Sequence, residues 1–245
     1  MKASREELLS LLRARGLEAT VRRGLAPPDG LGPADALTRL LTAGPPPRAI
    51  TELIPASGGA GLTSIACHLA ALAARREGAR IAWADPLDQW DPASAQAAGI
   101  ALERVLWLRC GACLSGLAGL SRWQEVLGLL IQAGGMHLVV ADFSSWPAAE
   151  LRRIPRSAWF RLLRGLERSE KTALLTLAPE PLTQSCAGLV VGLRHGPAVW
   201  PETAVGRLQR VPVRGQLLRQ RFSAPGERRP AQSAPAIHLP LELRA

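Results

Sequence analysis

Residues 56–64 read A-S-G-G-A-G-L-T-S, a run of small side chains whose exposed backbone N–H groups could hold a phosphate. A mostly apolar stretch over 49–54 precedes it with strand character, and Thr63 and Ser64 open a run of helix formers over 65–76. Strand, glycine-rich turn and helix N-terminus, in that order, aim backbone N–H groups and the positive end of a helix dipole at an anion. Ser57, Gly58, Gly59, Gly61, Thr63 and Ser64 are the candidate residues for such a site. The phosphate-loop pattern G-x-x-x-x-G-K-[ST] overlays 56–63 with two failures: Ala56 stands at the first glycine and Leu62 at the lysine. A lysine ammonium at that point neutralises charge on the β- and γ-phosphates, and leucine cannot. The set therefore reads as vestigial, an NTPase frame without its central cation, with the Gly58–Gly61 amides still able to hold an anion.

The elements that must position this loop follow from hydrophobic patterning. Helices are expected over 4–15, 35–41, 92–98, 117–132 and 156–168, and strands over 80–84, 105–108, 137–141 and 172–177. The strands are apolar on both faces and alternate with helices, which calls for a mainly parallel sheet covered by helices. After Cys186 the texture changes. Strands over 188–194 and 208–213, a turn over 213–216 and a strand over 217–222 predict an antiparallel extension at the sheet edge. The expected organisation is an N-terminal helix and linker over 1–24, an α/β core over 25–222 and a flexible tail over 223–245 rich in Pro, Arg, Ser and Ala.

With a formal charge of +10, its largest share in the last third of the chain, the balance favours anionic partners, nucleic acid or an acidic protein surface. The only lysines are Lys2 and Lys171, so arginine carries nearly all of it. Cys110 and Cys113 form a lone C-x-x-C without a second pair or histidine partners, so neither a metal nor another cofactor is expected. The polar start M-K-A-S-R-E-E-L does not fit a signal peptide, and no apolar stretch is long enough to span a bilayer. A reduced, cytoplasmic chain with no membrane partner is expected.

The order of elements resembles the core of the RecA-like superfamily from about residue 31 to residue 222. G-P-P-P-R-A-I-T-E-L (44–53) is similar to that family's lead into the phosphate loop. D-P-L-D-Q-W-D-P-A-S-A-Q-A-A-G-I (85–100) is similar to its D-A-E-H-A-L-D-P segment and is the most specific match. H-L-V-V-A-D-F-S-S (137–145) resembles its strand carrying the magnesium-side aspartate, which places Asp142 in that role. The resemblance puts the family's catalytic glutamate at Leu87, where no proton can be accepted. An aspartate closing a buried strand also caps the next turn, and with no lysine opposite, that reading of Asp142 is preferred to metal binding. The segments after Asp142 and Leu177 are shorter than the family's DNA-binding loops.

Within that superfamily the length and the decayed site resemble the ImuA family of mutasome accessory proteins. The resemblance implies a non-catalytic adaptor in the bacterial DNA-damage response. It would support error-prone translesion synthesis with RecA, an ImuB-like Y-family relative and a DnaE-type polymerase. The alternatives are a SulA-like cell-division inhibitor and a RecA-paralogue ATPase that depends on DNA and takes its cation from Arg48 or a neighbour. Direct DNA contact is expected from Arg152, Arg153 and Arg156 beside the shortened loop, Arg161 and Arg164 on the next helix, and Arg219, Arg221, Arg228 and Arg229. Trp146 and Trp159 could stack a base, although Trp159 sits on an apolar stripe. Partner contacts are expected from Leu8, Leu11 and Leu12 on the first helix. The alternating Ile237, Leu239, Leu241 and Leu243 suit an extended segment added to a partner's sheet.

Overall fold

Strands that are apolar on both faces need cover on both, and the computed structural model provides it. It describes residues 33–56, 61–110, 116–183, 185–197, 210–221 and 237–242. In chain order the elements are α1 (Pro33–Ala43), β1 (Ile50–Pro55), α2 (Leu62–Ala74), β2 (Ile81–Asp85), α3 (Pro92–Ala97), β3 (Val105–Arg109) and α4 (Gly116–Ala133). There follow β4 (Leu138–Asp142), α5 (Ala148–Leu151), α6 (Arg156–Arg168), β5 (Ala173–Leu177), β6 (Leu189–His195), β7 (Arg210–Gln220) and β8 (Ile237–Glu242). The described strands form one sheet in the order β3-β2-β4-β5-β1-β6-β7-β8. Pairings from β3 through β6 are parallel; β6–β7 and β7–β8 are antiparallel. This is the mainly parallel α/β sheet with an antiparallel edge extension expected from the sequence, consistent with a RecA-like layout.

Period-two alternation splits the core into two layers. On β4, Leu138 and Val140 face the layer with α1, α2 and α3, while Val139 and Ala141 face the layer with α4, α5 and α6. On α6 the buried residues Trp159, Leu162, Leu163 and Leu166 form one stripe, and Arg161, Arg164 and Arg168 stand exposed on the other side, as the pattern predicts. Gly165 lets α6 come close to α4, since a Cβ there would lie 3.1 Å from Ile131 Cγ2. Among the described residues, no helix is long and apolar enough to cross a membrane.

Two features at the C-terminal edge differ from expectation. The turn predicted over 213–216 is not there: β7 runs unbroken across it. Gly215 suggested a turn, but its role is close approach, because α1 packs over it with Leu37 Cδ2 3.3 Å from where a Cβ would sit. The irregularity lies instead at Leu218, the extra residue where the β6–β7 register shifts between Val190 and Val191. The second difference is β8. Ile237, Leu239 and Leu241, expected to add to a partner's sheet, belong to a strand that pairs antiparallel with β7 of this chain's own sheet, within the span read as a flexible tail. Leu243, the helix expected over 4–15 with Leu8, Leu11 and Leu12, and Cys113 lie outside the described residues.

Candidate functional site

The parallel strands bring their C-terminal ends to one side, where open α/β sheets bind ligands. That edge gathers the end of β1, Asp85 of β2, Arg109 of β3 and Asp142 of β4. Ser57, Gly58 and Gly59 lie outside the described residues. Gly61 follows with φ +70, a left-handed conformation suited to glycine, and serves as the N-cap of α2. Thr63 and Ser64 are exposed in the first turn of that helix, which has no side-chain cap and no acidic residue there. Leu62 is half-buried and packs against the apolar layer beneath α2. A Cβ on Gly61 would lie 3.3 Å from Val213 Cγ2, so β7 closes in on the helix start.

The carboxylates of this edge are occupied by the protein's own donors. Asp85 is buried. Its Oδ1 accepts from the Gln89 amide at 2.9 Å, and its Oδ2 from the Trp90 amide at 2.9 Å and Trp107 Nε1 at 3.2 Å. It thereby ties the 86–90 loop to the end of the sheet. Asp142 Oδ1 accepts from the Ser144 amide at 3.1 Å and Ser144 Oγ at 2.6 Å, which is the turn cap foreseen for it. Burial pushes the Asp142 carboxyl above the usual carboxylate range, the Ser144 bonds pull it back, and the charge of Asp85 adds to the rise. Such a group ionises less readily than an exposed aspartate while no positive charge lies beside it. Leu87, which the sequence resemblance sets at a catalytic-base position, is 38% exposed on the loop that Asp85 holds.

An aromatic cluster braces the same loop. Trp83 stacks on Trp90 with ring centroids 4.9 Å apart, and Trp90 meets Trp107 edge-on at 5.3 Å. The Arg109 guanidinium lies 4.3 Å from the centroid of Trp107 and forks onto Asp88 with two bonds of 2.6 Å. The Arg109 bonds hold Asp88 below the usual carboxylate range. Asp91 caps α3 by accepting from the Ala93 amide at 3.1 Å and the Ser94 amide at 3.0 Å, with Pro92 at the first helical position, as expected.

Arg48, considered as a substitute cation, sits before β1, at the opposite end of that strand from the phosphate loop. About 20 Å of extended chain separates the two. Its guanidinium donates to the Glu167 carbonyl, through Nε at 3.0 Å and also through Nη2, at the last turn of α6. It cannot serve the loop from there.

The candidate DNA-contacting arginines beside the shortened loop and on the next helix are spread along α6, which is about 20 Å long. Arg152 and Arg156 lie near the C-terminal edge. Arg152 forks onto Glu180 at 2.6 and 2.7 Å, and Arg156 donates to Ser185 Oγ at 3.1 Å. Arg153 is exposed beside them. Arg161 and Arg164 follow the helix toward the other end of the sheet. Arg219 lies on β7 opposite Val190 and Arg221 follows that strand, while Arg228 and Arg229 fall outside the described residues. Neither tryptophan offers a stacking platform: Trp159 is fully buried, and Trp146 is buried with its Nε1 donating to Glu150 Oε2 at 2.8 Å.

One residue with a large structural role was missed in the sequence. Glu52 lies fully buried on β1. Its Oε1 accepts from the Leu182 amide at 2.7 Å and the Thr183 amide at 3.0 Å, and its Oε2 from Thr183 Oγ1 at 2.9 Å. A central strand thus holds the loop that follows β5. Burial pushes the Glu52 carboxyl up, and these three bonds and Arg219 pull it back. The signal was available as a single charge inside the run I-T-E-L-I. Neither the protein-family models nor the curated proteins include a match to this chain.

Proposed function

We propose that this chain is a non-catalytic RecA-like adaptor of the bacterial DNA-damage response that supports error-prone translesion synthesis. The observation that carries the non-catalytic part is Leu62. It occupies the position of the phosphate-loop lysine and is turned into the apolar layer under α2. Leu87 at the base position, Asp142 tied to Ser144 and Arg48 committed to Glu167 support the same reading, since none is left to bind phosphate charge or activate water. The translesion role and the partners rest on the resemblance of residues 85–100 and of the surrounding frame to the RecA-like and ImuA families. RecA, an ImuB-like relative and a DnaE-type polymerase are the proposed contacts. A frame kept without its chemistry can still present a face complementary to a related subunit.

The test is co-purification of the full chain with RecA, with an ImuB-like protein and with a DnaE-type polymerase, each in the absence of nucleotide. Retention of RecA or of the ImuB-like protein, unchanged by added ATP, is expected. Absence of all three complexes, or a complex that forms only with ATP, would contradict the adaptor reading.

A further inference from the structure

At the N-terminal end of the sheet, away from the phosphate loop, the chain forms an open recess of ≈ 1110 Å³. Arg80 before β2, Lys171 before β5, and Arg161, Arg164 and Arg168 along α6 line it, with Glu170 as the one carboxylate of the lining. All five cationic residues are exposed. No ion pair ties any of them among the described residues, in contrast to Arg109 and Arg152 at the other end. The floor is fixed. The His137 and Arg80 backbones bond at 2.8 Å, and Thr172 Oγ1 donates to the Met136 carbonyl at 2.8 Å. Gly134 and Gly135, with φ of +69 and +76, turn the chain from α4 into β4 and leave the floor open, since a Cβ on either would meet nothing within 4 Å. His137, buried there, is held below its ordinary pKa by burial first and then by the charges of Lys171 and Arg76.

We infer that this recess binds the phosphate backbone of a nucleic acid, through Arg80, Arg161, Arg164, Arg168 and Lys171, without reading its sequence. Two observations favour a nucleic acid over an acidic polypeptide. Arg161, Arg164 and Arg168 rise along one helix face over about 10 Å, a line of charge suited to a strand of regularly spaced phosphates. The lining is also poor in the large apolar pockets that anchor a protein partner, with Ile131 and Met136 its only sizeable apolar residues. The lining holds no Trp, Tyr or Phe on which a base could stack, so its contacts are to the backbone. The site lies on the opposite end of the sheet from the arginines beside the shortened loop, and it does not depend on the adaptor reading.

The experiment is fluorescence anisotropy of the full chain with a labelled thymidine oligonucleotide and a mixed-sequence oligonucleotide of equal length, over a salt series. The variants are R161A/R164A/R168A and, at the other end of the sheet, R152A/R153A. The parent should bind both strands alike, with affinity falling steeply with salt. The groove variant should bind about tenfold or more weakly and lose about two from the logarithmic salt slope, about 0.7 per phosphate contact removed from a single strand. R152A/R153A, which removes the contacts read from the sequence beside the shortened loop, should lose less than the groove variant. Equal affinity of the groove variant, an equal or larger loss in R152A/R153A, or no oligonucleotide binding at low salt would overturn the inference. So would displacement of the oligonucleotide by polyglutamate at matched charge, which would make the surface one for acidic protein. Co-purification with protein partners is a separate readout, so failure here leaves the adaptor reading standing.

Discussion

Replacing Glu52 with alanine is expected to cost about 3–5 kcal/mol of folding stability. The substitution strands the Leu182 and Thr183 amides and the Thr183 hydroxyl in a buried region, and each buried donor left without an acceptor costs about 1–3 kcal/mol. Urea unfolding followed by circular dichroism measures it. A change below about 1 kcal/mol would mean that something other than the carboxylate holds the loop after β5. The cost should also depend on pH with a definite sign. The folded carboxyl is raised, so its favourable contribution is complete below the ordinary glutamate value of about 4.3 and is lost as pH rises through the folded value. The difference between parent and variant should therefore be larger near pH 4.5 than near pH 8. A difference that grows with pH would reverse the assignment of burial as the dominant influence.

The second large effect is expected at Trp83. The ring is fully buried between the sheet and the α2 layer and stacks on Trp90. Trp83→Ala should cost about 3–5 kcal/mol, in the range for emptying a large aromatic site. It should also loosen the 86–90 loop, because Trp90 loses its stacking partner and Trp107 meets Trp90 edge-on. Trp83→Phe should be far milder, about 1–2 kcal/mol, because the buried Nε1 has no hydrogen-bond partner to lose. Thermal unfolding, with near-ultraviolet circular dichroism to read the tryptophan cluster, distinguishes the two variants. Similar losses for Ala and Phe would show that the indole N–H, and not the ring's volume, matters at this position.

Much of the sheet is legible in the sequence because each element there is dictated by its own pattern. The apolar stripe of α6 predicts 156–168, and the helix occupies Arg156–Arg168. Asp91-Pro92 predicts the start of α3, and the cap is there. What was not legible depends on approach between distant segments. Gly215 suggests a turn on local grounds, but α1 packs over it, and no local pattern reveals that. Glu52 reads as one polar residue in an apolar run until the loop after β5 is folded onto it. The arginines around residues 152–164 are neighbours in sequence but are divided by the length of a helix. Arg80, remote in sequence from α6, is brought beside Lys171 at the helix's C-terminal end by the parallel sheet, because strands β2 and β5 start on the same side. The candidate nucleotide site was legible in what it lacks, Leu62 and Leu87, whereas the self-bonding of Asp85 and Asp142 required the fold.

On the proposed reading, the phosphate-loop frame performs no ATP chemistry. The most direct measurement is titration of the purified full chain with a fluorescent ATP analogue together with a phosphate-release assay, with and without single-stranded DNA and beside a Leu62→Lys variant. No turnover by the parent is expected under either condition. None is expected by Leu62→Lys either, since a restored cation would still find leucine at position 87 and Asp142 bonded to Ser144. DNA-stimulated phosphate release by the parent would contradict this reading and require a cation and a base other than Arg109, Asp85 and Asp142, which are bonded within the protein at this edge.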